Sequence, residues 1–289
     1  MSNEELSSES VLRSAFKKSP EYSVKWDSYF SIYSELFQKY VGSEIIFIEV
    51  GVLHGGSLFM WQEYFGPKAR IIGIDLNPEA LKWEKFGFQI FIGDQADSKF
   101  WTNFWEAIGT ADVLLDDGGH TNLQQRQTML YSLASIRDGG MIVIEDTHTS
   151  YQKDFGNPSS KSGVSFAKTL VDSIAARNPE LNKNEALRTK RISSIRFFES
   201  LFVIYVDSGA AKINQVTTNQ RSMSAAEDFR YHHGTKYEMF LRFSIQKFGF
   251  RFTSSRNLDL LPNAFLRIIQ EGIYLLLKIH LTRELKRFE

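Results

Sequence analysis

The sequence predicts an α/β protein with a doubly wound, mainly parallel sheet, helices on both faces and an antiparallel edge hairpin. Five short apolar runs alternate with segments of helical spacing along residues 26–146. This alternation is typical of βαβ units, whose crossovers place helices on the faces of a parallel sheet. Two further apolar runs, at 192–198 and 201–206, are so close in sequence that they can pair only as antiparallel strands.

The first strand is predicted between two helices. Residues 26–41 carry aromatic and apolar side chains at helical spacing, and residues 44–51 form an apolar run that ends in glycine. The second pattern is typical of a buried parallel strand. Ser57 is placed to cap the helix that follows, at 57–65, and a Gly-Pro pair ends that helix.

The same order of strand and helix continues along the chain. Strands are expected at 70–75, 88–94, 111–117 and 141–146, and helices at 78–86, 98–108, 123–136, 164–176 and 263–288. The polar stretch 147–163 has no periodicity, and loops of this length are often lids or binding segments.

Three regions are predicted along the chain: a loose lead-in over 1–24, a main domain over 25–210, and a basic, aromatic-rich extension over 211–289. The whole chain has 34 basic and 34 acidic side chains, which argues against a surface built wholly for nucleic acid. It has no cysteine, no secretory signal pattern and no apolar run long enough to span a membrane. We therefore expect a cytoplasmic protein.

The basic charge is concentrated in the extension, whose last 69 residues hold 12 basic and 7 acidic side chains. Its final helix is amphipathic and basic. Such a helix is expected to pack against the domain or a second subunit of a homo-oligomer. The alternative is peripheral contact with a membrane surface.

Acidic side chains stand at the carboxyl end of each of the five parallel strands. They are Glu49, Asp75, Asp94, Asp116 with Asp117, and Glu145 with Asp146. Open parallel sheets bind ligands at this edge, near the point where the strand order reverses. The acids therefore indicate a binding site rather than a purely structural edge.

The first two strands carry a signal for a nucleoside ligand. Glycines at 51, 55 and 56 let the backbone approach a ligand below a helix N-terminus. Asp75 ends the second strand, where an acid can accept hydrogen bonds from both hydroxyls of a ribose. The glycine spacing is not GxGxxG, and the alternatives are a simple tight turn and, for Asp75, a helix cap.

The fourth and fifth strands carry a signal for a metal ion. Adjacent strands lie about 4.8 Å apart, so Asp116, Asp117, Glu145 and Asp146 converge and need a cation among them. His120 follows across a Gly-Gly turn, and a neutral imidazole beside a cation is a suitable general base. The alternative is that these acids cap a helix and form surface salt bridges.

Together the motifs resemble the class I S-adenosylmethionine-dependent methyltransferases, with a Rossmann-like fold. They resemble more closely the metal-dependent macrocin- and mycinamicin-type sugar O-methyltransferases, whose scaffold the cephalosporin hydroxylase-like proteins share. The likeness covers about residues 25–207. It rests on the ribose acid and on the motifs Glu-x-Gly-x-x-x-Gly-Gly-Ser from Glu49, Gly-Asp-Gln-Ala-Asp from Gly93, Asp-Asp-Gly-Gly-His from Asp116 and Ile-Glu-Asp-x-His-Thr-Ser-Tyr from Ile144.

The resemblance implies a role for each site residue. For S-adenosylmethionine these are Glu49, Gly51 and Ser57 at the methionine end, Asp75 at the ribose, Asp94 and Gln95 at the adenine, and also Gly55 and Asp116. For Mg²⁺ or another hard divalent cation they are Asp117, Glu145 and Asp146. His120 is the implied general base.

The function that the resemblance implies is O-methylation of a sugar hydroxyl in a glycosylated natural product or a surface polysaccharide. A second enzyme class is a metal-dependent O-methyltransferase of catechol-type aromatic diols. A nicotinamide-dependent oxidoreductase is disfavoured by the missing GxGxxG and by the crowded acids. A non-catalytic protein that binds a nucleoside cofactor is the alternative outside enzymes.

Overall fold

The computed structural model describes residues 7–156, 161–177, 190–211 and 217–220. The chain divides into two units, Met1–Val216 and Thr217–Glu289, and the described strands and helices belong to the first. The predicted basic extension and its final helix lie almost wholly outside the described residues. Within those residues no helix combines the length and the apolar character that crossing a membrane requires.

A seven-stranded sheet forms the centre of the described unit. Its strands are β1 Ile46–Val50, β2 Arg70–Asp75, β3 Gln89–Ile92, β4 Ala111–Asp116, β5 Ile136–Ile144, β6 Ile192–Phe198 and β7 Leu201–Val206. Their order is β3-β2-β1-β4-β5-β7-β6, and β7 runs antiparallel to both of its neighbours. The predicted mainly parallel sheet with an antiparallel edge hairpin is confirmed.

Helices cover both faces of this sheet. They are α1 Ser8–Lys18, α2 Tyr29–Phe37, α3 Gly56–Phe65, α4 Ser98–Ile108, α5 Asn122–Ser132 and α6 Gly163–Ala175. The first three share an apolar core with one face of the strands, and the last three share a second core with the other face. Shorter 3₁₀ segments are Gln38–Tyr40, Pro78–Phe86, Thr147–Tyr151 and Lys153–Phe155.

Aromatic packing fixes α2 and α3 against β1. The ring of Trp61 lies 4.9 Å from that of Phe47 and 5.5 Å from that of Phe37, and all three side chains are fully buried. Edge-to-face and tilted contacts of this kind stabilise a core beyond the area that they bury. The strand β1 is thereby packed against the helix that follows it.

The N-terminal segment differs from the prediction of a loose lead-in over 1–24. Ser8–Lys18 forms a helix, which Ser7 caps by accepting a hydrogen bond from the backbone N–H of Ser10. Leu12 and Ala15 are buried in the core that α1 shares with α2 and α3. The serine- and glutamate-rich composition hides this short apolar stripe, which the prediction overlooked.

The predicted boundary between the fifth helix and the fifth strand is also wrong. The sequence predicts a helix to residue 136, whereas α5 ends at Ser132 and β5 begins at Ile136. The Arg191 guanidinium donates hydrogen bonds to the backbone oxygens of Leu133 and Ile136, which satisfies carbonyls at this junction. A long-range partner of this kind leaves no local signal in the sequence.

Two smaller differences concern the site. The helix predicted at 78–86 is present with these bounds as a 3₁₀ helix, but β3 ends at Ile92, before Asp94. Likewise β5 ends at Ile144, so Glu145 and Asp146 begin the loop that follows. These acids consequently lie on loops at the sheet edge rather than on the strands themselves.

Candidate functional site

A cavity of about 890 Å³ opens at the carboxyl ends of the strands. It lies where the strand order reverses between β1 and β4, which is the ligand-binding position of open α/β sheets. Its volume is in the usual range for sites that bind small molecules and cofactors. Nine of the predicted site residues line it: Gly51, Ser57, Asp75, Asp94, Gln95, Asp117, His120, Glu145 and Asp146.

The glycine turn after β1 requires glycine at two positions. Gly51 has a φ of +92°, and a Cβ there would lie 2.1 Å from the backbone oxygen of Asp117. Gly55 has a φ of +82°, and a Cβ there would meet the Trp83 ring at 2.4 Å. Gly55 is also the N-cap of α3, so the prediction that Ser57 caps this helix is wrong.

Asp75 joins the end of β2 to the glycine turn. Its Oδ2 accepts hydrogen bonds from the backbone N–H groups of Val52, at 2.8 Å, and Leu53, at 3.0 Å. Its Oδ1 accepts one from the N–H of Asn77, which itself caps the next segment. The alternative that Asp75 is the helix cap is therefore wrong. A carboxylate has about four acceptor positions, so capacity remains for ligand hydroxyls.

Gln95 and Asp116 hold the Gly-Gly turn after β4. Asp116 is 1% exposed and accepts hydrogen bonds from Gln95 Nε2, at 3.0 Å, and from the N–H of Gly118. Gln95 Oε1 accepts one from the N–H of Gly119. Burial raises the pKa of Asp116. These two side chains position the turn, whereas Asp94 is exposed at the cavity rim.

Three side chains converge where a cation is predicted. His120 Nε2 lies 3.4 Å from Asp146 Oδ2 and 3.8 Å from Asp117 Oδ1, and these three residues offer ligand atoms within 4.8 Å of one another. His120 and Asp146 have φ values of +56° and +51°, a region that residues other than glycine adopt rarely. Carboxylate oxygens suit a hard divalent cation, and the imidazole of His120 lies beside them. The donor set therefore fits the predicted metal ion.

Glu145, the third implied metal ligand, lies outside this group of three. It is 1% exposed and accepts hydrogen bonds from the Tyr33 hydroxyl and from Lys25 Nζ, the latter at 3.3 Å. Burial raises the pKa of Glu145 well above its ordinary value, and the nearby charge of Asp117 acts in the same direction. Its carboxylate is therefore engaged by neighbours that the sequence did not indicate.

Glu49 is also placed differently from the implied methionine end of the cofactor. Its carboxylate is fully buried and accepts hydrogen bonds from Ser57 Oγ, at 2.7 Å, and Trp61 Nε1, at 3.2 Å. Ser57 lines the cavity, whereas Glu49 is not among the described residues that line it. Burial raises the pKa of Glu49. It therefore supports the cavity wall from behind.

Residues 25–29, just before α2 and at its start, supply site contacts that sequence reasoning missed. Lys25 Nζ lies 2.6 Å from Asp117 Oδ2. Trp26 Nε1 and the Tyr29 hydroxyl donate to Asp146 Oδ1 at 3.0 and 2.9 Å. Lysine side chains are mostly exposed, and the acids that pair with Lys25 are distant from it in sequence. The residues near Lys25 therefore do not indicate that it belongs to the site. The helical spacing of the aromatic residues indicated packing only.

Lys25 has three acidic neighbours and a side chain that is 1% exposed. Burial alone would lower the pKa of Lys25. The charges of Asp117, Glu145 and Glu49 outweigh this effect and raise the pKa well above its ordinary value. The ammonium therefore neutralises part of the negative charge below the cavity.

Comparisons with known proteins agree with this geometry. No family model matches the chain. The chain is 32% identical over 154 residues to mycinamicin VI 2''-O-methyltransferase of Micromonospora griseorubida. This match covers 49% of this chain and 38% of that protein. Identity to demethylmacrocin O-methyltransferase of Streptomyces fradiae is 30%, with the same coverage. The matches thus span less than two-fifths of the length of these relatives.

A solved structure is similar over a larger part of the chain. It is the MycE methyltransferase of the mycinamycin biosynthetic pathway in complex with Mg, SAH and mycinamycin VI. The TM-score is 0.60 at 25% identity, with 69% of this chain and 53% of MycE covered. The chain therefore has the class I S-adenosylmethionine-dependent methyltransferase fold and is a relative of the macrocin- and mycinamicin-type sugar O-methyltransferases.

Proposed function

We propose that the chain is an S-adenosylmethionine- and Mg²⁺-dependent O-methyltransferase that acts on a sugar hydroxyl of a glycosylated natural product or polysaccharide. One observation carries this proposal. The cavity has a ribose-type acid and glycine turn at one end and the group of Asp117, His120 and Asp146 at the other. The relatives, O-methyltransferases of mycinamicin VI and demethylmacrocin, support the choice of acceptor.

The glycine turn and Asp75 form the cofactor end of the cavity. A Cβ at Gly51 would collide with the Asp117 backbone and one at Gly55 with the Trp83 ring, so glycine at both positions allows the close packing of this turn against its neighbours. Asp75 is held by three backbone N–H groups, which orient its carboxylate for ribose hydroxyls. Ser57 and Gln95 line the same cavity.

Asp117 and Asp146 form the cation end. They belong both to the ligand set that the resemblance implies and to the three-residue group in the structure. When bound, the cation would supply positive charge that lowers the pKa of an acceptor hydroxyl, and S-adenosylmethionine would supply the methyl group. The side chains of this end orient the acceptor beside His120.

His120 is the proposed general base. Its Nε2 faces both acids, so a proton taken from the acceptor hydroxyl at this atom forms an imidazolium that Asp117 and Asp146 stabilise. The left-handed backbone of His120 holds the ring in this position. The remaining rate enhancement comes from positioning and from the fixed charges of the site.

The experiment is a binding measurement followed by an assay. Calorimetry should show that the full chain binds S-adenosylhomocysteine and does not bind NAD. Labelled S-adenosylmethionine with Mg²⁺ should then transfer methyl to a glycosylated macrolide such as mycinamicin VI, and not to a catechol. Transfer to the catechol alone would favour the aromatic-diol enzyme. Failure to bind S-adenosylhomocysteine would overturn the proposal.

A further inference from the structure

Residues 22–26 form one wall of the cavity. All five line it, and their exposure to solvent alternates along the segment. Tyr22, Val24 and Trp26 are each more than half exposed, and the two residues between them are partly buried. Apolar side chains that stay exposed together at a cavity are typical of a surface that a ligand covers.

This wall is anchored at both of its ends. Gly56 begins α3, and a Cβ there would meet the backbone oxygens of residues 21–22 at 2.4 and 2.5 Å. Ser19 Oγ also donates to the backbone oxygen of Gly56, at 2.8 Å. At the other end, Trp26 Nε1 donates to Asp146 Oδ1 at 3.0 Å. The wall therefore extends from the glycine turn to the cation end of the cavity.

The indole of Trp26 is held in one orientation by two contacts. Its Nε1 donates to Asp146, and its ring meets that of His148 at a right angle, with 5.9 Å between the ring centres. His148 Nδ1 in turn forms a hydrogen bond with Ser200 Oγ. Trp26 is nevertheless 58% exposed, whereas the other four tryptophans of the chain are buried. The ring is thus fixed by its neighbours without being covered by them.

A fixed and uncovered aromatic ring is suited to a sugar. A pyranose ring has a face of C–H bonds, whose hydrogens are slightly positive, and the face of an indole is negative. The hydroxyls of a sugar that stacks in this way remain at its edge, where they can reach polar groups. Asp146, which holds the indole, lies 3.4 Å from His120 Nε2. A sugar on Trp26 would therefore have its hydroxyl edge beside the general base.

We propose that Trp26 is the platform on which the acceptor sugar stacks. This inference rests on the proposed function, because it assigns a residue to the acceptor of that reaction. It adds an acceptor contact to a site whose implied residues bind the cofactor or the metal, or remove the proton.

Two variants separate the aromatic face of Trp26 from its hydrogen bond to Asp146. Trp26→Phe keeps an aromatic face and loses the donor, whereas Trp26→Gln keeps an N–H donor and loses the face. The KM for a glycosylated acceptor such as mycinamicin VI should rise by about tenfold or more in Trp26→Gln and by less than about threefold in Trp26→Phe. An unchanged KM in Trp26→Gln, or a larger rise in Trp26→Phe, would overturn the proposal.

Two controls show whether the effect is specific to acceptor binding. Tyr131→Ala removes an exposed aromatic side chain near the end of α5 that is not among the described residues lining the cavity, and should leave the KM unchanged. Mn²⁺ is titrated into each full-length variant and followed by the electron paramagnetic resonance signal of free Mn²⁺. Its affinity should change by less than about threefold in Trp26→Gln. A loss of Mn²⁺ affinity as large as the rise in KM would overturn the proposal.

Sugar binding is also measured without turnover. Because Trp26 is the exposed tryptophan, acrylamide should quench the fluorescence of the native chain mainly through this residue. A panel of methyl glycopyranosides is then added at high millimolar concentration, with Mg²⁺ and S-adenosylhomocysteine present. At least one glycoside should lower the quenching in the native chain and cause no such change in Trp26→Phe. Protection of Trp26 by no glycoside of the panel would overturn the proposal.

The platform and the proposed function can fail independently. Protection of Trp26 by a glycoside without methyl transfer to any glycosylated acceptor would contradict the proposed function and leave the platform standing. Metal-dependent methyl transfer with the same KM in the native chain and in Trp26→Gln would contradict the platform and leave the proposed function standing.

Discussion

At the β2 end of the cavity the acid is held by backbone groups, whereas at the β4–β5 end the acids are held by distant side chains. Asp75 accepts hydrogen bonds from N–H groups at most 23 residues away. Asp117 and Asp146 accept theirs from residues 25–29, which are 92 to 120 residues away in sequence. The first arrangement joins two successive strands of one βαβ unit, and the second joins segments that are far apart in the chain.

This difference has a chemical consequence. Backbone N–H groups orient the carboxylate of Asp75 without a neutralising side chain, which suits an acid that binds neutral hydroxyls. The crowded acids at the other end need cations, and Lys25 supplies one. We therefore expect the two ends to respond separately to perturbation, one in cofactor affinity and the other in metal-dependent catalysis.

Removal of the metal should have the largest effect on methyl transfer and should affect only the cation end of the cavity. We expect EDTA to abolish methyl transfer and Mg²⁺ to restore it, because EDTA removes the cation whose positive charge would lower the pKa of the acceptor hydroxyl. Affinity for S-adenosylhomocysteine, measured by calorimetry, should change by less than about threefold. Methyl transfer that EDTA does not change would contradict the proposed metal site. Loss of S-adenosylhomocysteine binding in EDTA would show that the two ends of the cavity are coupled.

His120→Ala should lower turnover by about 10²–10⁴-fold, which is the usual contribution of a general base. Affinity for S-adenosylhomocysteine should be preserved, because the ring lies at the cation end. His54→Ala is a matched control, since His54 lines the same cavity beside the glycine turn and packs against Tyr22. Steady-state kinetics compares the two variants. Equal turnover in both would remove His120 from the base role.

The contrast between the ends also explains how much of the site could be predicted. The sheet and the acids at its edge follow from apolar periodicity and from the parallel arrangement of the strands. Asp117 and His120 belong to one short motif, and the structure brings them to 3.8 Å. Local pattern was sufficient for these features.

The parts that could not be predicted depend on contacts between distant segments. Lys25 is surrounded by three acids, one in β1 and the other two directly after β4 and β5, and no local pattern distinguishes it from a surface lysine. Glu49 and Glu145 are engaged for the same reason. The helix α1 and the early start of β5 likewise depend on partners far along the chain.

Asp75→Asn should lower the affinity for S-adenosylhomocysteine by about 10- to 100-fold, because hydrogen bonds to a charged group contribute about 1.5–3 kcal/mol. Mn²⁺ binding should be unaffected, since Asp75 belongs to the opposite end. Asp94→Asn should cause a smaller loss, because Asp94 is exposed at the rim. Calorimetry measures both ligands. A larger loss for Asp94→Asn would assign the main cofactor contact to that residue instead.

A substitution at Glu49 tests whether this residue belongs to the cofactor end of the cavity or only supports its wall. If its carboxylate supports the wall from behind, Glu49→Gln should change S-adenosylhomocysteine affinity by less than about threefold, whereas a direct contact with the methionine end would cost far more. In glutamine, Trp61 Nε1 can still donate to the amide oxygen, and Ser57 Oγ can accept from the amide nitrogen. The expected effect therefore lies in the pH dependence of stability.

Burial raises the pKa of Glu49, so the folded chain binds this proton more readily than the unfolded chain. The stabilising contribution is fully present below the unfolded pKa of about 4.3 and is lost as the pH rises through the higher folded pKa. Glutamine does not titrate. The melting temperature of the native chain relative to Glu49→Gln should therefore fall as the pH rises above about 4.3. Parallel melting curves over this range would mean that the ammonium of Lys25 offsets the cost of burial, and would place Glu49 with the neutralised acids of the cation end.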